Sequence, residues 1–471
     1  MHEPDDPATG RPGPSIARLP GPVAAWSAAA ASRPASDWLA PATRSFVGLI
    51  LAAGGLLAGC SGTVPASPPR TRAGASAPAG SPGGEAGVTW LEATVGQAPG
   101  PEGTSAPAFC SPCHASQETS LAGVAAGHGM LVAVGIQFPP PDAAAWTSTD
   151  GRTWRRAGSL EAPEGSVLSA VAATAGGFVA VGGAGTSAAV WTSSDGGTSW
   201  ARAKVGAPAA PGTARMDAVV PFAGGLVAAG DAEVAPPAGR AVAWTAVDGA
   251  DWMPALDIAS FGRATIAGLA SNASIVVAVG SLTQADGTHT AATWWSGDGR
   301  AWHAGTTDPS FSGSQLLAVT TGGPGFVAVG TADGGLRASA WTSTDGVHWT
   351  ASPRGAGSTN YGQRIAMTGV ARAGTGFIAA GWRDSAGNGS SVVWVSPDGM
   401  AWRRVPDVAG FAGSQMAGVA ADTAGPVAVG AIGIPDNWAS AVWFGPSVPA
   451  RSVGETLTHA RSSRRQGADQ P

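Results

Sequence analysis

Residues 178–200 read FVAVGGAGTSAAVWTSSDGGTSW, and both halves of this stretch recur along the chain. The opening phrase has counterparts in LVAVG at 131, LVAAG at 226, VVAVG at 276, FVAVG at 326, FIAAG at 377 and PVAVG at 426. The last glycines of these phrases, 135, 182, 230, 280, 330, 381 and 430, lie 47 to 51 residues apart, a spacing that marks a repeat fold. The closing phrase recurs as AAWTSTDGRTW from 144, VAWTAVDGADW from 242, ATWWSGDGRAW from 292, SAWTSTDGVHW from 339 and VVWVSPDGMAW from 392. A third apolar stretch precedes each opening phrase, as in LAGVAA at 121, LSAVAA at 168, IAGLAS at 266 and MAGVAA at 416. One unit thus holds four short apolar runs separated by Gly, Asp and Ser turns, the pattern of a four-stranded antiparallel sheet. Seven such units predict an all-β chain, a seven-bladed β-propeller over residues 88–445.

The seventh copy begins its closing phrase as AVWFGPS from 441 and stops short of the DGxxW turn. Residues 88–95, VTWLEATV, carry an unattached strand whose Trp90 matches the closing Trp of the other copies. The expectation is that this N-terminal strand serves as strand d of the last blade, with a, b and c drawn from residues 415–444. Both chain ends would then share one sheet, and no sheet edge is left open between them.

The closing phrase resembles the Asp-box, or BNR repeat, of sialidases, sortilin-type receptors and photosystem II assembly propellers. Ser193 to Trp200 match the SxDxGxxW spacing of that family in full, and the other copies are one residue shorter, as in Ser148 to Trp154. The resemblance implies the propeller fold and leaves function open, because Asp-boxes occur in enzymes, receptors and scaffolds alike. The residue types also have a direct physical reading. A tight turn between strands c and d needs a Gly that tolerates positive φ and an acceptor for turn N–H groups. Asp150, Asp195, Asp248, Asp298, Asp345 and Asp398 are expected to be those acceptors. Trp154, Trp200, Trp252, Trp302, Trp349 and Trp402 are expected to fold back over their blades. Identical use in every blade reads as structure, so no metal or catalytic role is assigned to these carboxylates.

Glycine (71) and proline (37) make up about 23% of the 471 residues, and charged residues only 12%. With a net charge of −5 and no basic patch, a nucleic-acid binder held by phosphate contacts is excluded. Phe46 to Ala58, FVGLILAAGGLLA, is shorter than the roughly 18 to 20 residues that span a bilayer and has the length of a signal-peptide core. It ends in Leu57-Ala58-Gly59-Cys60, which resembles the lipobox of bacterial lipoproteins and implies cleavage before Cys60 and lipidation of its thiol. Residues 1–59 are therefore read as a signal peptide, with a start further along, near Leu39, explaining the long Pro- and Ala-rich lead. Residues 60–87 follow as the lipidated Cys and a disordered tether, and 446–471 as a disordered tail. Localisation is expected to be exported, anchored to the outer face of the cell membrane.

Cys110-Ser111-Pro112-Cys113-His114 spells the CxxCH pattern of c-type haem attachment. Too few residues lie between the neighbouring strands to wrap a haem, so a local Cys110–Cys113 disulfide is the preferred reading and no cofactor is expected. Tyr361 is the only tyrosine, and no arginine segment matches the first blade of a sialidase, which argues against that enzyme. No HExxH, GxSxG or Walker-type phrase is present. Variation in length and polarity falls in the b–c and d–a loops, which open on one face. That face supplies the candidate binding residues Asp231, Arg240, His289, Tyr361, Arg364, Trp382, Arg383, Asp384, Asp436, Asn437 and Trp438. Exposed tryptophan beside Arg and Asp would suit a protein or a glycan. The expected function is non-enzymatic binding of an envelope protein or glycan by a monomeric propeller. An extracellular carbohydrate-active hydrolase is the competing class, favoured if the ring centre held an Asp pair flanked by Arg, and a structural envelope scaffold is the third.

Overall fold

The computed structural model describes residues 91–92, 94–95, 118–138, 142–208, 213–233, 239–255, 259–284, 288–323, 325–353, 363–384, 389–434 and 437–445. The expected signal segment, Cys60, the tether, Trp90, Cys110, Cys113, His114, Tyr361, Asp436 and the tail lie outside them.

The described chain forms seven sheets, each with antiparallel strands a, b, c and d from the centre outward. Blade II is representative: Ser166–Thr174, Gly177–Ala184, Ser187–Ser193 and Ser199–Arg202. Successive a strands touch around the axis, and strand a of blade VII, Ser414–Ala421, touches strand a of blade I, Glu118–Gly127. Blade VII is completed by Leu91–Glu92, which runs antiparallel to its strand c, Asn437–Phe444, as expected from the truncated seventh copy. In register, Glu92 stands opposite Trp443 as Arg156 stands opposite Trp146 in blade I. Arg152 lies over the Phe444 ring at 4.3 Å, and Ser440 N donates to Thr119 Oγ1 at 2.9 Å, adding contacts across the blade VII to blade I seam.

Three blades carry one strand more than the expected four. Thr94–Val95, Ser159–Leu160 and Lys204–Val205 each run parallel to strand d of the next blade, at Thr153–Trp154, Ser199–Trp200 and Asp251–Trp252. The linker passes along the outer edge of the next blade before turning inward, and its backbone groups pair there. Other linkers use short 3-10 turns instead, Ala259–Phe261, Pro309–Phe311 and Ala409–Phe411, and bury Phe261, Phe311 and Phe411.

The seven repeat glycines have one cause. Every strand a carries a bulge, after Leu121, Leu168, Met216, Ile266, Leu316, Met367 and Met416. The carbonyl before the bulge presses onto the opposing glycine of strand b. A Cβ on Gly135, Gly182, Gly230, Gly280, Gly330, Gly381 or Gly430 would lie 1.9 to 2.1 Å from that oxygen, which no side chain tolerates. Strands c contribute a second row of tryptophans that the sequence reading did not separate from the first: Trp146, Trp191, Trp244, Trp294, Trp341, Trp394 and Trp443 are all buried. Several are held by loop carbonyls, such as Trp191 Nε1 on Glu161 O at 3.0 Å and Trp443 Nε1 on Gly410 O at 3.1 Å. These rings fill the space between blades and fix the stacking of the ring.

Candidate functional site

The a–b and c–d turns fall on one face of the ring, which leaves the b–c and d–a loops on the other. On the turn face, Ser148 Oγ donates to Asp150 Oδ1 at 3.0 Å and accepts from Gly151 N at 2.9 Å. The same carboxylate oxygen accepts from Arg152 N and Thr153 N, both at 2.8 Å, and Trp154 Nε1 donates to Gly151 O at 3.0 Å. Asp195, Asp298, Asp345 and Asp398 repeat the pattern with Ser193, Ser296, Ser343 and Ser396. Trp200, Trp252, Trp302, Trp349 and Trp402 likewise donate to a turn glycine carbonyl. Blade III departs from the pattern. Ala246 replaces the serine, and Asp248 accepts from Ala250 N at 2.9 Å.

These bonds stabilise the ionised carboxylates. Backbone N–H groups of Thr153 and Arg152 lower the pKa of Asp150, and those of Ala301 and Arg300 do the same for Asp298. At Asp195 burial opposes ionisation but is outweighed by bonds from the Ser199 side chain and backbone and from Ser193, bringing the pKa to about 2. Burial is outweighed in the same way at Asp345, by the His348 backbone and ring, and at Asp398, by Ala401 and Met400. Each of these turns uses its carboxylate to satisfy its own N–H groups, and a carboxylate held ionised in this way is a poor proton donor near neutral pH.

The loop face differs in content. Four of the six ion pairs among the described residues lie there: Arg215 with Asp217, Arg337 with Asp333, and Arg383 and Arg404 with one shared partner, Asp407. Arg215 Nε reaches Asp217 Oδ1 at 2.7 Å, and Asp231 is its Cα partner on strand b of blade III, Gly225–Glu233. Asp217 is buried at the bulge of strand a, where the other blades have Ala122, Ser169, Ala267, Leu317, Thr368 and Ala417. It had not been singled out from the sequence. A comparison of the repeats position by position would have marked it as the one charge in that ring.

The candidate residues are spread over four blades and do not converge on one pocket. Asp231 and Arg240 belong to blade III, with Arg240 exposed opposite Ala232. His289 on blade IV is half-buried, its Nδ1 3.5 Å from Thr283 Oγ1, and burial lowers its pKa. Arg364, Trp382, Arg383 and Asp384 cluster on blade VI, where Asp384 N donates to Arg364 O at 2.9 Å. Trp382 corrects the sequence expectation of an exposed ring. It stands opposite Ala366 on strand b and packs with Leu317 and Ala366, leaving 6% of its surface accessible. Burying so large an apolar ring between blades is worth more than presenting it to solvent. Asn437 and Trp438 begin strand c of blade VII, opposite Ile434 and Gly433.

Two cavities lie on the turn face. One of about 580 Å³ sits between blades II and III, lined by Ser194, Phe222, Ala223, Val247, Asp248 and Asn272 among others. The second, about 390 Å³, straddles the seam and includes Asp150, Arg152, Asp422 and Phe444. The loop face offers exposed charge on a rigid support, as at Arg240, Arg263 and Asp384.

No protein-family model matches the chain, and no curated protein sequence matches it. Among solved structures it is similar to YCF48 bound to a D1 peptide, at 14% identity over 72% of this chain and 96% of that one, with a TM-score of 0.46. It is similar to puromycin hydrolase at 14% identity over 68% of this chain, with a TM-score of 0.48, and spans about half (51%) of that enzyme. The Trypanosoma rangeli sialidase in complex with the inhibitor DANA matches 53% of this chain and 56% of its own, at 13% identity and a TM-score of 0.30. None is similar enough for its ligand to be carried over.

Proposed function

We propose that this chain is an exported, lipid-anchored propeller whose loop face binds an envelope protein or glycan without chemistry of its own. One observation carries the reading: four of the six ion pairs among the described residues lie on the face free of the repeated turns, where Arg240, Arg263 and Asp384 are also exposed. A rigid ring displaying variable polar loops is the arrangement binding proteins use, because the scaffold bears the ordering cost and the loops carry the specificity. The lipidated Cys60 and the tether would hold this face away from the membrane.

The test is crosslinking and capture from intact envelopes, comparing wild type with an Arg240→Ala, Arg263→Ala, Asp384→Ala variant. All three side chains are exposed, so the ring should stay folded. A specific partner lost in the variant supports the reading, and identical capture contradicts it.

A hydrolase is the second reading, favoured by the grouping of Arg215, Asp217 and Asp231 at the inner strands of blade III. Asp217 is too buried to meet a substrate and serves to position Arg215, so the chemistry would rest on Asp231. Turnover of aryl glycosides that disappears in Asp231→Asn with folding intact would favour this alternative.

A further inference from the structure

On blade VI, Arg383 Nη2 reaches Asp407 Oδ2 at 2.7 Å, and Arg404 Nη2 contacts Oδ1 of the same carboxylate. Two positive charges thus share one negative charge. The Nε atoms of both arginines are buried and have no hydrogen-bond partner. A charged N–H withdrawn from water without an acceptor costs free energy, and a guanidinium fork matches a carboxylate through two parallel bonds. The blade adds Arg364 and Arg403 against Asp384, so the surroundings are positive although the chain as a whole is negative. Arg383 and Arg404 keep 24% and 36% of their side-chain surface accessible, so each can turn to a second acceptor at the loop face.

We propose that Arg383 and Arg404 form a carboxylate seat that takes an acidic side chain or C-terminus of a protein partner, with Asp407 as the resident carboxylate with which the incoming one competes. The proposal deepens the binding reading by naming the chemistry of the partner, and rests on it. An acidic peptide is favoured over an acidic sugar because a sugar ring needs an apolar platform. Among the described residues, the aromatic rings of the blade, Phe377, Trp382, Trp394 and Trp402, are all buried.

The full chain is titrated with a fluorescent hexaglutamate peptide, its hexaglutamine counterpart and a hexagalacturonate. The seat predicts binding of hexaglutamate that weakens at least about tenfold in Arg383→Gln, Arg404→Gln. Asp407→Asn removes the competing carboxylate and should tighten binding, a change that a merely structural role for these residues would not produce. Arg404→Lys, which keeps the charge and loses the fork, serves if the double variant unfolds, and it too should weaken binding. Equal binding of the glutamate and glutamine peptides, weaker binding in Asp407→Asn, or binding of hexagalacturonate alone would each overturn the proposal. If hexaglutamate binds as expected while envelopes yield no partner, the seat stands and the wider binding reading falls. If a partner is captured equally by wild type and the double variant, the seat falls and the binding reading stands.

Discussion

The turn face of the ring repeats one hydrogen-bond pattern in five blades, with lapses at Ala246 in blade III and at the truncated turn of blade VII, whereas the charges of the loop face differ from blade to blade. On the first, a serine, an aspartate and a closing tryptophan satisfy the turn's own N–H groups and cover the blade. On the second, charges pair across loops that differ in length, as Arg383 does with Asp407 twenty-four residues on. Repetition here is the mark of a stability requirement shared by every blade, and variation marks the surface on which that requirement is relaxed. The comparison also warns against equating a cavity with a site. The cavities of about 580 and 390 Å³ open on the repetitive face, between turns whose residues are already committed to one another.

The largest way to break the structural half of this contrast is to remove residues 88–95. Blade VII would lose Leu91–Glu92 and the seam would lose its outer strand, for a cost comparable to truncating a core tryptophan, about 3–5 kcal/mol. Urea melts should show a clearly lower midpoint, and an unchanged one contradicts closure by the N-terminal strand. Next in size is Gly182→Ala, whose Cβ would sit 1.9 Å from Val167 O. It should cost about 1–3 kcal/mol or more, while Gly176→Ala, with nothing within 4 Å, should shift the melt by less than about 0.5 kcal/mol.

Smaller effects sharpen the account of the turns. Ser296→Ala leaves the buried Gly299 N–H without its acceptor and should cost about 1–3 kcal/mol. The reciprocal change, Ala246→Ser in blade III, should gain about 0.5–1.5 kcal/mol by supplying the missing hydroxyl. Acid should act through the same groups. Asp150, Asp195, Asp298, Asp345 and Asp398 are held below the unfolded value of about 3.9, so their contribution is complete above roughly pH 5 and is lost as pH falls toward the folded value. For Asp195 that folded value is about 2. Urea midpoints measured from pH 5 down to pH 2.5 should therefore decline, and Asp195→Asn should flatten part of that slope.

The blades and their closure were legible in the sequence because each is written as a local phrase and then repeated. FVAVG, the SxDG turn and the closing tryptophan each report a requirement met within one blade. The glycines at 182 and its equivalents were visible, but their cause, a bulge in strand a, requires knowing which strand faces them. Trp382 was misread as exposed because its packing partners, Leu317 and Ala366, come from elsewhere in the chain and leave no local signature. The parallel outer strands, such as Ser159–Leu160, were missed for a similar reason: two residues without apolar periodicity are ordered by the edge they meet. Arg404 and Asp407 were passed over because pairing across a loop depends on how that loop returns to the ring.

The division of labour between the faces is tested most directly by envelope capture with two variants side by side, Asp345→Ala, His348→Ala on the turn face and Arg240→Ala, Arg263→Ala, Asp384→Ala on the loop face. The account predicts that the first retains the captured partner at a lower urea midpoint, and that the second loses the partner at a nearly unchanged midpoint. Loss of the partner in the turn-face variant alone, with the ring still folded, would contradict it and place the binding surface on the face assigned here to stability.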